Sequence, residues 1–473
     1  MKKFTKILLI GCLLVTVSCN NWLDVDPKSQ VKDKDLFASE MGFKEALSGV
    51  YSLMTKEALY GKELTFGWLG VLGQEWTSVP YNYEDDQKYD FENAASEVRI
   101  DSVWTGLYNA IANANKLLKE LEGKENLFSG DNYFIIKGEV LALRAYLHFD
   151  LLRIFGASCT VGMERIAIPY VTEYAPTIFP QEKVGDFVGK VLNDLQDAAK
   201  CLENDPILTG RTVSEIDDNG YLMNRQVHLN YYAVKGLMAR VYLYKGDYAN
   251  AEVCAKEVIG SGCFEWVKQE NLTNESVADL TFSTEHLFAL NIVTLGNIVD
   301  KYLDGGNNSF ALEESRLSEY YGSSYDYRYL YLFKTGVGMS NTLRYLKKYD
   351  QLESVSWAQS YRNKLPLICL PEMYYILAEC RYHSSGDVLE PLNEVCRHRG
   401  VADLSEADLS AFETLLLAEY RKEVIGGGQL FFQYKRLNRS VVPGTDVDLA
   451  GEGRYVIPMP KEELENPGWV SNQ

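Results

Sequence analysis

The stretch HLNYYAVKGLMARVYLYKGDYANAEVCAKEVIG, residues 228–260, decides the fold. Helix-compatible runs cover 228–244 and 248–259, separated by Gly246-Asp247-Tyr248. Gly246 permits a tight turn there, because a residue without Cβ enters left-handed conformations at little steric cost. Ala239 and Ala251 stand on either side of the turn, and small residues let antiparallel helices approach closely.

The same residues resemble a tetratricopeptide unit, in a degenerate copy: Lys235 stands where the early aromatic is usual and Val258 where the late alanine is usual. Residues 372–399, with Ala378 and a turn at Ser384-Ser385-Gly386-Asp387, look like a second, weaker copy. Further helical runs cover 42–60, 99–121, 133–155, 183–202 and 411–425; in 133–155, Ile136, Val140, Leu143, Leu147, Leu151 and Ile154 recur at three or four. Strand signals are sparse and short. The expected fold is mainly α: tetratricopeptide-like helical hairpins in a single superhelical body. Stacked pairs contact only their neighbours, so such a body escapes the usual splitting above about 250–300 residues. Residues 64–91, 157–179, 207–226 and 269–364 are rich in Gly, Asn, Asp and Tyr and read as long irregular loops with a binding role.

The first residues read as an address. Lys2, Lys3 and Lys6 precede an apolar run over 7–18, and Cys19 follows at once. That run is too short to span a bilayer, which takes about 20 residues. It resembles a bacterial lipoprotein signal, with Cys19 the acylated residue. Leu9-Ile10-Gly11-Cys12 fits the letter pattern better but would leave too short an apolar core. The expected division is a signal peptide over 1–18, a lipid-anchored tether over 19–34 and a body over 35–473.

Composition narrows the chemistry. The chain has 47 Lys+Arg against 66 Asp+Glu, a net charge of −19, which argues against tracking a nucleic-acid backbone. Five His leave little material for imidazole metal sites or general acid/base work. Tyr (32), Phe (19) and Trp (7) suit contact surfaces, each giving a flat apolar face and, for Tyr and Trp, a polar handle. Cys159, Cys201, Cys254, Cys263, Cys369, Cys380 and Cys396 follow Cys19 without CxxC spacing, so no zinc ribbon or dithiol motif is present; Cys254 and Cys263 could close a short loop.

Segments taken in order resemble the SusD/RagB family of outer-membrane lipoproteins. They are CNNWLDVDP (19–27), LALRAY with FDLLRIFG (141–146, 149–156), LPLICLPEMYYILAE (365–379), EYRKE with GQLFFQYKR (419–423, 428–436), and YVIPMP followed by NPG (455–460, 466–468). Cys369 departs from the family's usual Arg. The resemblance implies residence on the outer membrane facing the exterior, a SusC-like TonB-dependent transporter as partner, and a nutrient ligand, most readily an oligosaccharide. It implies that Arg144, Asp150 and Arg153 are framework ion pairs and caps.

Binding suits the sequence better than catalysis. No G-x-S-x-G, HExxH or Walker loop occurs, Glu84-Asp85-Asp86 reads as a solvated charge run, and Gly426-Gly427-Gly428 suits a helix end. Asp217-Asp218-Asn219-Gly220 has turn chemistry that could hold a surface Ca²⁺ but lacks the rest of an EF-hand; no cofactor is expected. Sugar rings stack on aromatic planes, so the candidates are Trp68, Trp76, Tyr81 and Tyr83 in the first long loop and Tyr320, Tyr321, Tyr325 and Trp357 in the last. Trp76, Tyr81 and Tyr83 lead, because Pro80, Asn82 and neighbouring acids favour an open stretch. The alternatives are a peptide-binding importer of the same type and, behind it, a surface glycan hydrolase.

Overall fold

The computed structural model describes residues 34–209, 220–274, 277–306, 308–336, 342–351 and 361–472. Cys19, Trp357 and Asp217-Asp218-Asn219 lie outside them. The principal helices are α1 (Glu40–Met54), α2 (Ala94–Leu121), α3 (Asn132–Phe155), α4 (Val184–Cys201), α5 (Tyr231–Lys245), α6 (Tyr248–Ile259), α7 (Leu370–Ser384), α8 (Leu389–His398), α9 (Phe412–Val424) and α10 (Leu430–Arg436). From α1 to α8 each packs on the next in sequence, the pattern of stacked hairpins. The fold is the mainly α, tetratricopeptide-like one expected.

Local chemistry sets the helix ends. Asn230 caps α5, its carboxamide oxygen accepting the Ala233 amide at 3.0 Å, and Asp247 caps α6 through the Asn250 amide at 3.2 Å. Between them Gly246 has φ +81°, the left-handed turn read from sequence. Elsewhere a glycine serves contact: a Cβ on Gly138 would stand 2.7 Å from Leu202 Cγ, so its absence lets α3 lie against the end of α4.

Helix α3 is buried on nearly every face, so its polar residues need partners within the protein. Arg144 makes a bidentate pair with Asp194 of α4 at 2.7 Å, and Arg153 pairs with Asp150, which also accepts the Tyr60 hydroxyl at 2.7 Å. Glu139 accepts from Arg225 at 2.6 Å, from Tyr51 at 2.9 Å, and meets His228 at 2.9 Å. Burial alone would raise the Glu139 carboxyl, but the charges of His228 and Arg225 outweigh it and hold the pKa down to about 2.

The strands are short. β1 (His286–Asn291) pairs antiparallel with β5 (Lys364–Cys369); β2 (Leu312–Glu313), β3 (Phe333–Thr335) and β4 (Leu343–Leu346) form a sheet in the order β2-β4-β3. Residues 269–364 thus hold β1 to β4 and the helices Leu295–Tyr302, Glu314–Tyr321 and Tyr327–Tyr331, which their Tyr-rich, non-periodic sequence does not announce. Among the described residues no helix is long and apolar enough to cross a membrane.

Candidate functional site

The first long loop is folded, not open. Trp68 and Trp76 are 0% and 2% exposed, and Tyr83 is buried as well. Their polar handles explain why. Trp68 Nε1 donates to Asp86 at 2.9 Å, Trp76 Nε1 to the Phe66 carbonyl at 2.7 Å, and the Tyr83 hydroxyl to Glu63 at 2.8 Å. Arg99 of α2 reaches into the same cluster, paired with Asp86 and lying 3.9 Å from the Tyr83 ring centre. A polar sequence therefore closes into a core once each donor finds an acceptor. Trp68, Trp76 and Tyr83 accordingly offer no open ring to a ligand, correcting the expectation that this stretch lies open. Asp86, expected in a solvated charge run, is fully buried, and burial raises its carboxyl to about 6 despite Arg99.

The last aromatic stretch divides. Tyr321 is buried with its hydroxyl donating to the Lys422 carbonyl at 3.1 Å, which corrects its expected exposure. Tyr320 is half-buried with the Arg421 guanidinium 4.1 Å from its ring centre. Tyr81 and Tyr325 remain open, 86% and 76% exposed. Each stands beside an anchor. Tyr81 follows Pro80 and starts the turn Tyr81–Tyr83, whose Asn82 carbonyl accepts from Arg99 at 3.0 Å. Tyr325 precedes the buried Asp326, which is paired with Arg328 at 2.7 Å. Rings on pinned backbone lose less freedom when a ligand stacks on them.

The fold joins the two stretches. Ser78 and Ala311 form an antiparallel bridge, and the Phe310 ring lies 6.0 Å from Trp76 and 5.1 Å from Tyr83. From Ala311 the chain runs through β2 and the helix Glu314–Tyr321 to Tyr325.

A second aromatic site was not read from sequence. A cleft of about 420 Å³ is lined by Trp104, Tyr108, Phe179 and Trp469, with Glu463 and Asn466 at its edge. Trp104 Nε1 donates to Glu463 at 2.9 Å, and Asn466 Nδ2 donates to the other Glu463 oxygen at 2.8 Å. Its parts lie on α2, on the 169–179 segment and near the C-terminus, so no window of sequence contains them.

Comparison with known proteins places this geometry. A SusD-like family described as "Starch-binding associating with outer membrane" matches residues 21–243. A SusD superfamily structure from Bacteroides thetaiotaomicron VPI-5482 superposes with a TM-score of 0.74 at 21% identity, covering 92% of this chain and 100% of that one. Over residues 21–243 in sequence, and over nine-tenths of its length in fold, the chain is similar to SusD-like proteins. A curated SusD-like protein of Formosa agariphila is 24% identical over 56% of this chain and 47% of its own length, so the match spans about half of that relative. The solved structure of a laminarin-binding SusD-like protein has a TM-score of 0.63 at 18% identity, covering 91% of this chain and 100% of that one.

Glu75, a carboxyl pushed toward neutrality, is poorly placed for acid/base work on a polymer. Burial raises Glu75 to about 8, but it is fully buried and accepts the Gly426 amide at 2.7 Å. Among the described residues no group of three or more His, Cys, Asp or Glu is arranged to hold a metal. Cys254 and Cys263 are both free, so the short loop they could have closed is not closed.

Proposed function

We propose that this SusD-like chain is a surface-exposed, lipid-anchored outer-membrane protein that captures an oligosaccharide without covalent chemistry and passes it to a SusC-like TonB-dependent transporter. The likeness of fold over nine-tenths of the chain carries the reading. The outer-membrane description of the matching family and the laminarin-binding neighbour support its location and cargo. In this reading residues 1–18 are a signal peptide, Cys19 carries the lipid, residues 19–34 form the tether and 35–473 make one capturing body. Tyr81 and Tyr325, with the half-buried Tyr320, are the stacking platform; the open rings expose apolar faces and hydroxyls that suit the two sides of a sugar. Tethering beside the transporter raises effective concentration, so weak individual affinity suffices.

Titration calorimetry of the detergent-solubilised chain against polysaccharides and peptides tests the cargo. Saccharide binding that disappears in the Tyr81→Ala/Tyr325→Ala double variant is the expected result. Binding that survives there but is lost in Trp469→Ala moves the platform to the aromatic cleft. A response to peptides alone keeps the importer and replaces its cargo, whereas reducing-sugar release would make the chain a hydrolase. Mild detergent extraction tests the partner: a β-barrel should co-purify, and a solitary chain argues against the transporter.

A further inference from the structure

A pocket of about 270 Å³ lies between the segment after α3 and the C-terminal segment, and it shares no residue with the Tyr81–Tyr325 rim. Phe91, Leu449 and Tyr455 give it apolar lining, while Lys435 of α10 forms part of its wall and Arg165 and Arg454 stand at its exposed edge. Lys435 is 1% exposed, and its Nζ donates to the Ile154 carbonyl at 3.1 Å without a carboxylate partner. Among the described residues Arg165 has no carboxylate partner either, and Arg454 meets Glu452 at 3.4 Å. Ser158, also in the wall, keeps a buried hydroxyl with no hydrogen-bond partner. Two arginines and a buried lysine thus line one small cavity against one acid, in a chain whose net charge is −19.

The contrast with other buried cations is chemical. Arg144, Arg153, Arg225 and Arg436 are each neutralised by a carboxylate, as the cost of a buried charge requires. Lys435 is not, and burial with Arg153 nearby pushes its pKa well below the usual lysine range. An anion brought against it from outside would favour its charged form and offset that cost.

We infer that this pocket binds a ring-sized anionic ligand, a uronic acid or the uronic-acid end of an acidic glycan, with its carboxylate toward Lys435 and its ring against Phe91 and Tyr455. The volume is near the lower end for ligand pockets, about 300–1,000 Å³, and so admits one sugar unit. The Ser158 hydroxyl and the exposed Asn438, which also lines the pocket, offer partners for ring hydroxyls. The inference does not rest on the capture reading, since the pocket and the rim are separate.

Calorimetry of the detergent-solubilised chain with sodium glucuronate, glucose and sodium sulfate, at low and high salt, decides it. Glucuronate should bind, glucose should be silent, and raising salt from about 20 to 200 mM should weaken glucuronate several-fold. The surface variant Arg165→Gln/Arg454→Gln should lose about tenfold in affinity, as charge-assisted contacts do. Lys435→Met should abolish binding; if that variant fails to fold, the surface double variant carries the test. Silence toward glucuronate up to about 50 mM, well beyond millimolar affinity, overturns the proposal. So does equal binding of glucose, or an unchanged affinity in the surface double variant. Sulfate binding as tightly as glucuronate overturns the sugar class. Loss of glucuronate binding in Tyr81→Ala/Tyr325→Ala overturns the placement.

Discussion

The α3 frame and the first aromatic loop each bury a carboxylate completely, and the two carboxylates behave oppositely. Glu139 on α3 is ringed by Arg225, His228 and Tyr51 and is held down to about 2. Glu75 in the loop accepts one amide, from Gly426, has its other oxygen unpartnered, and is pushed up to about 8. Equal burial therefore fixes no charge state; the number of donors brought to the carboxylate does. The frame brings Glu139 donors from both α1 and the segment before α5, while the loop carboxylate meets a single amide from far along the chain.

The sharpest way to break the loop is to remove its charge centre. Asp86→Ala would leave the Arg99 guanidinium buried beside Glu63 alone, at 3.5 Å, and would take the acceptor from Trp68 Nε1. The expected loss is about 3–5 kcal/mol, read as a fall in urea midpoint.

The pH dependence separates the two regions by sign. Glu75 has a raised folded pKa, so its contribution is fully present below the unfolded value and is lost as pH rises toward 8. Glu75→Gln should therefore flatten the stability profile by about 1.4 kcal/mol per pH unit between roughly pH 5 and 8, with little change near pH 4. Glu139 has a depressed folded pKa, so its stabilisation is present above roughly pH 4.5 and lost as pH falls toward 2. Glu139→Gln should remove that acid limb. Melts across pH 3–9 on both variants check the signs, and parallel profiles would dissolve the contrast.

Gly246→Ala probes the hairpin turn and should cost about 1–2 kcal/mol, the penalty of placing a Cβ in a left-handed conformation. Tyr81→Ala and Tyr325→Ala should be smallest, within about 0.5 kcal/mol of the parent in melting experiments, because neither ring supports the core. Saccharide affinity falling with stability unchanged would mark them as binding residues.

These contrasts also explain what could be read from the chain. The α5–α6 hairpin was legible because its information is local: Asn230, Ala239, Gly246, Asp247 and Ala251 lie within a few helical turns and each states its own requirement. The ion pairing of Arg144, Asp150 and Arg153 was implied by the family resemblance of the segments that carry them. Trp76 and Tyr83 misled because Phe310, which packs on both, lies more than 200 residues away, and proximity to Pro80 and Asn82 says nothing about such a contact. Tyr81 was read as open in the same stretch, since exposure there is decided residue by residue. The Trp104–Trp469 cleft was invisible for the same reason of distance.

The bridge between Ser78 and Ala311 also orders events in time. A chain emerging N-terminus first presents Trp76 and Tyr83 long before Phe310 exists to cover them. The α1–α6 hairpins close over short sequence separations and can form early, whereas the aromatic rim must wait for a far later segment. Non-local closure of that kind is slow and leaves aromatic surface uncovered meanwhile. The part of the molecule proposed to meet its ligand is thus the part that a folding chain completes late.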